Sequence, residues 1–184
     1  MTRLRLTVLV ASFVLASAGP ACAGPVDAVV GEVGSSIVTA SDIALARALG
    51  LLGFSPSESH IQRADVDRYN TALVAVLEAS RLGIGPTLTE LDQAWTALEA
   101  QMGGAAALRF WLDATTIDTA WARQALEAHL RWRTWTTLHQ GLTIETPGAK
   151  PEALGLESDL VVRNLLTPDQ TIAMPFAMPP RAAP

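Results

Sequence analysis

Apolar and polar positions alternate first with a strand period and then with a helix period. Val26, Val29, Val30 and Val33 are β-branched, Gly34-Ser35-Ser36 has turn chemistry, and Ile37-Val38-Thr39 is a second short run, so the segment predicts a β-hairpin. Thr39-Ala40-Ser41-Asp42 has capping-box spacing, in which the Thr hydroxyl accepts a free N–H of the first turn and the Asp reaches back to the cap. A helix is predicted from residues 40–42 to about Leu52, and Gly53-Phe54-Ser55-Pro56-Ser57 breaks it.

From there the period is helical. Asp65 to Leu82 carries Val66, Tyr69, Leu73, Val76 and Leu77 and stops at Gly83-Ile84-Gly85-Pro86. Thr87-Leu88-Thr89-Glu90 is a second capping box, and Leu88, Leu91, Trp95, Leu98 and Met102 share one face of the helix it starts, which ends at Gly103-Gly104. A shorter helix is predicted over Ala105 to Asp113, and Thr115-Thr116 precedes a long one from about Asp118 to His139. On that last helix Trp121, Ala125, Ala128, Trp132, Trp135 and His139 fall near one line while Leu126, Leu130 and Thr137 lie almost opposite, so it needs neighbours on two sides. After Gly141 the pattern lapses. Seven prolines stand between Thr143 and Pro184, and only Leu160 to Leu166 reads as a short ordered element; the tail is expected to be extended, to pack partly on the helices and to be disordered at its end. The expected fold is mainly α: a short N-terminal hairpin, a bundle of about five helices over residues 24–142, and a Pro-rich tail over 143–184.

The first 23 residues change the compartment. Arg3 and Arg5, the uncharged run Leu6 to Ala18, the break Gly19-Pro20 and the small residues Ala21-Cys22-Ala23 have the form of a secretory signal peptide cleaved after Ala23, which predicts a periplasmic protein. Cys22 raises a lipoprotein alternative, but Gly19-Pro20-Ala21 lacks the Leu three residues before the cysteine that such signals carry. A chain starting at Gly24 has no cysteine, hence neither a disulfide nor a thiolate nucleophile. Its formal charge is −7, against −5 for the whole chain.

With 49% hydrophobic and 17% charged residues the chain is suited to one folded domain. No basic cluster exists from which to build a phosphate-tracking surface, so nucleic acid is not expected as a partner. A mean hydropathy of +0.28 owes part of its value to the leader. No later run approaches the roughly 20 apolar residues of a spanning helix, so a soluble mature chain is expected.

Catalytic chemistry is sparse. The sequence holds no G-x-S-x-G elbow, H-E-x-x-H pair or P-loop. Asp65-Val66-Asp67-Arg68-Tyr69-Asn70 begins like a calcium loop, but Tyr69 replaces an oxygen ligand and Asn70 stands where Gly must bend the chain, so these acids read as a helix N-terminus. His60, His129 and His139 lack metal-ligand spacing and read as surface or partly buried histidines; Arg131 and Arg133 read as solvated edges around Trp132. Neither an enzyme nor a cofactor is expected.

Val26 to Ile43, with its Val-rich hairpin and capped helix start, resembles the beginning of the SurA-type periplasmic chaperone domain. Glu78-Ala79-Ser80-Arg81-Leu82-Gly83-Ile84 followed by Thr87-Leu88-Thr89-Glu90-Leu91-Asp92 is similar to that family's helix ending in Gly-Ile, polar turn and Glu-rich helix start, and the Trp121 to Leu142 helix stands where its long closing helix would. The resemblance covers about residues 26–142. It departs at Ala72-Leu73, where family members often carry acidic residues, and at Gly34-Ser35-Ser36, which replaces an Asn or acidic turn. The family's usual neighbour, a parvulin-type prolyl isomerase domain, needs about 100 residues, more than the tail offers.

The resemblance implies an ATP-independent chaperone that holds unfolded polypeptide or outer-membrane protein clients in an apolar groove between helices. The alternative is an envelope structural or assembly protein that binds one folded partner through the same fold; a degenerate isomerase is a third reading. Six of the ten aromatic residues, Trp95, Phe110, Trp111, Trp121, Trp132 and Trp135, lie between residues 95 and 135; such a concentration reads first as core, with some members left over in so small a domain to line a groove. Phe110, Trp111, Trp132 and Trp135 are the candidate client-binding residues, with Trp111 and Trp132 expected to be the exposed members.

Overall fold

A hairpin of β1 (Val29–Val33) and β2 (Ser36–Thr39) runs directly into α1 (Ala40–Leu49). The turn places Gly34 at φ 60°, a left-handed conformation that glycine adopts without steric cost. Thr39 and Asp42 form the capping box, the Asp42 carboxylate accepting the Thr39 N–H at 2.9 Å and the Thr39 hydroxyl accepting the Asp42 N–H at 3.3 Å. The computed structural model describes residues 27–56, 60–139 and 161–179. The expected signal peptide and its cleavage site, the boundary at Leu142 and the first part of the tail lie outside the described residues.

After α1 come the short strand β3 (His60–Gln62), α2 (Arg63–Arg81), α3 (Leu88–Gln101), α4 (Ala105–Thr115) and α5 (Thr119–Leu138). The described residues are thus mainly helical, with the five helices within a few residues of where their periodicity and caps put them. α1 is enclosed: Ile43, Leu45, Leu49 and its alanines are all buried, the small side chains allowing close approach of β2, β3, α2 and α5. α5 has neighbours on more than one side, packing most extensively on α2 and also meeting α3 and α1. Arg47, buried on α1, pairs with Asp65 in the first turn of α2 at 2.6 Å and donates to the His60 carbonyl at 2.7 Å. The acids that start like a calcium loop therefore serve as a helix start and an ion-pair partner.

Two further strands come from the tail. β4 (Val162–Asn164) pairs antiparallel with β1, so the sheet has the order β2-β1-β4, and β5 (Thr171–Ala173) pairs antiparallel with β3. The described part of the tail is extended, but it is a structural layer whose main seats are strands: Leu166 lies in the core, and residues through Pro179 rest on the domain. Among the described residues no helix is long and apolar enough to cross a membrane.

Candidate functional site

The tail decides which aromatic residues face solvent. Trp111 on α4 is only 4% exposed, because residues 174–178 cross it: its indole Nε1–H donates to the Ala177 carbonyl at 3.0 Å, and the Phe176 ring meets it edge-on with centroids 5.9 Å apart. The expectation that Trp111 is exposed is therefore corrected. Trp135 is also buried, stacked on His139 at 4.2 Å, and belongs to the core rather than to a free surface. Trp132 is half-buried, with its ring near His129 at 5.7 Å and against the backbone of Gly53. Phe110 is 74% exposed on the outer side of α4, a helix position away from its buried neighbour. The four residues do not form one continuous lining: Trp111 and Phe110 face opposite environments on α4, and Trp132 and Trp135 stand on α5.

What the structure brings together instead is a groove along β3 and α4. β3 flanks it edge to edge, with the wholly buried Ile61 opposite Ile172, and Trp111 lies under the segment that follows. The segment seated in it alternates strictly: Ile172, Met174, Phe176 and Met178 are partly buried against the core, while Thr171, Ala173, Pro175 and Ala177 are exposed. That is the side-chain period of an extended chain with one face covered. Beside it remains a cleft of about 620 Å³ bounded by Ala40, Ile117, Trp121, Met174 and Phe176. Asp27 is the one ionisable residue among those bounding it, and its carboxylate accepts the Ser41 N–H at 3.1 Å. Such a groove removes apolar surface from water and aligns a backbone.

β4 is fixed by different chemistry. Asn70 on α2, 1% exposed, donates to the Arg163 carbonyl at 3.1 Å; Asn164 donates to the Arg63 carbonyl at 2.9 Å and the Asp67 carboxylate at 2.8 Å; Arg63 donates to the Leu166 carbonyl at 2.7 Å. Backbone bonds from Gly34 to Val161 and from Leu165 to Val30 extend the pairing on either side. Gly31 is required opposite this latch, since a Cβ there would stand 2.9 Å from Asn70 Oδ1 and 3.1 Å from Val66 Cγ1.

A second cleft, of about 600 Å³, lies between the start of α3 and the end of α5, with Pro86, Glu90, Leu130, Arg133 and Leu138 on its walls. Its mixed, open walls lack the extended occupant that distinguishes the groove on Trp111. Nearby, Arg131 is not a solvated edge: it is half-buried, pairs with Glu127 at 2.6 Å and donates to the Ile84 carbonyl at 2.9 Å, tying the α2–α3 turn to α5. His129 is partly buried, and desolvation, aided by the Arg133 charge, lowers its pKa to about 4.

Ile61, Met174, Phe176 and Ala177 were not among the sequence candidates. The alternation from Ile172 to Met178 is the signal that points to them, and it is broken up to the eye by Pro175 and Pro179. No family model, curated protein or solved structure matches this chain.

Proposed function

We propose that this chain is an exported, ATP-independent holder of unfolded polypeptide, similar in role to the SurA-type chaperone domain that residues 26–142 resemble, with outer-membrane proteins among its clients. The observation that carries the reading is the extended, alternating segment 171–178 lying along β3 and over Trp111. A groove that seats one such segment through its backbone and its apolar face has the chemistry to seat others. Burying client surface there contributes about 25 cal/mol per Å² of apolar area, and the few directional contacts leave sequence specificity broad. The −7 charge of a chain starting at Gly24 keeps the holder soluble and favours basic clients. The reading assigns the protein no catalytic step and no cofactor.

The test is aggregation of several unrelated denatured clients, a β-barrel protein included, with the mature chain present at near-equal concentration. Suppression across clients is expected. No suppression of any of them, or tight capture of one folded protein alone, removes the proposal and favours the assembly-protein alternative.

A further inference from the structure

We infer that residues 171–178 form an exchangeable strap, an internal occupant of the groove on β3 and α4. When displaced, it leaves a site for an extended polypeptide with apolar side chains at every second position and an aromatic ring in the place of Phe176. The inference rests on the holding role proposed above and names what opens the groove.

The strap is held in a way that many sequences reproduce. β5 adds to β3 with His60 opposite Ala173, Ile61 opposite Ile172 and Gln62 opposite Thr171. Backbone pairing of this kind supplies affinity and register whatever the side chains are, and alternate side chains then read the floor. Past β5 the hydrogen bond from Trp111 ends on a main-chain carbonyl, that of Ala177. Any extended chain in the same register offers one. Phe176 supplies an aromatic edge contact, and the adjoining cleft beside Met174 and Phe176 leaves room for larger side chains than the strap's own.

The two halves of the tail are also unequally fixed. β4 is latched by the side chains of Arg63, Asn70 and Asn164, whose shape and polarity are specific to this chain. The strap has a three-residue strand pair, one indole donor and apolar contacts, and Pro175 removes a backbone donor from its middle. Opening 171–178 therefore costs less than opening 162–166, and the β4 latch keeps the released strap close by. A tethered occupant competes at an effective concentration in the millimolar range, so the apparent affinity for an outside segment is the intrinsic affinity multiplied by the fraction of time the groove is open.

The experiment uses the full mature chain and a fluorescent peptide with the sequence of residues 171–180. Met174→Ser/Phe176→Ser, which weakens the strap and leaves the floor intact, is expected to bind the peptide at least tenfold more tightly than the wild type. A peptide with Ser for its Phe should lose that gain, and adding Trp111→Phe, which keeps a ring but removes the indole donor, should weaken binding several-fold. Equal binding to wild type and variant, or no binding to either, overturns the strap. If the double variant fails to fold, hydrogen exchange on the wild type decides: amides of residues 171–174 should exchange at least tenfold faster than those of 162–166, and exchange of the two together overturns it. Aggregation assays on the same proteins separate this result from the holding role. Protection of clients without strap-gated peptide binding leaves the role and removes the strap; gated binding without protection does the reverse.

Discussion

The imidazole Nδ1 of His129 accepts the backbone N–H of Leu52 at 3.0 Å, joining α5 to the turn that follows α1. Leu52 has φ 53°, a left-handed conformation uncommon for a side-chain-bearing residue, and the hydrogen bond helps hold it there. Only the neutral imidazole has a lone pair for this bond.

That relationship makes stability depend on pH. Burial lowers the His129 pKa to about 4 from 6.5, so between those values the unfolded chain binds a proton that the folded chain does not. The contribution of His129 is fully present above about pH 6.5 and is lost as pH falls toward 4. Thermal melts should show a Tm that declines over this window. His129→Asn, which keeps an acceptor but takes no proton, should flatten the decline between pH 6.5 and 5, and parallel slopes would refute the assignment.

The polar latch under β4 should be costly to break. Asn70→Ala leaves the Arg163 carbonyl without its buried donor, which costs about 1–3 kcal/mol in urea unfolding. Gly31→Ala, which drives a Cβ against the same Asn70, is expected to cost about 1–3 kcal/mol. Since each change disturbs the other's partner, the double variant should lose less than the sum.

The Arg47–Asp65 pair is expected to be strongly coupled. Removing either partner alone takes this short, largely buried ion pair from the other, for about 3–5 kcal/mol. Arg47→Met with Asp65→Asn should recover part of that loss in a double-mutant cycle; strictly additive losses would show that the two side chains act separately.

Adjacent aromatic residues on α4 should respond in opposite ways. Trp111→Ala removes a core ring and is expected to cost about 3–5 kcal/mol. Phe110→Ser, at an exposed position, should change stability by no more than about 0.5 kcal/mol. Chemical denaturation of the two variants checks both.

The proposed export predicts a specific N-terminus. Expression of the whole sequence in a host with a periplasm should release a soluble protein beginning at Gly24. Intact-mass measurement checks it, and a lipid-modified Cys22 would contradict it.

The helices were legible because their ends carry local chemistry: Thr39 with Asp42 and Thr87 with Glu90 sit within one turn of each other, and Gly83 adopts the positive φ that stops a helix; α1 ends earlier than the expected Leu52, because Gly50 rather than Gly53 takes the left-handed cap. β3 gives no signal in the sequence, because three residues, His60–Gln62, hold too little alternation to register as a strand. β4 and β5 owe their pairing to residues far back in the chain, and no local pattern announces Gly31 opposite Asn164. The same distance explains the misplaced groove. Spacing on α4 separates Trp111 from Phe110 by one helix position but says nothing of Ala177 and Phe176, which are what cover the indole.

The seating of β4 against β1 also sets an order of events. A chain that emerges N-terminus first makes its hairpin and helices from nearby residues, yet one edge of β1 stays unpaired and the floor around Trp111 stays bare until residues 162–178 arrive. Closing so long a loop is slow compared with helix formation. For that interval the nascent protein displays an open strand edge and an apolar trough, the features by which unfinished proteins stick to one another, so prompt arrival of residues 162–178 guards it against self-association.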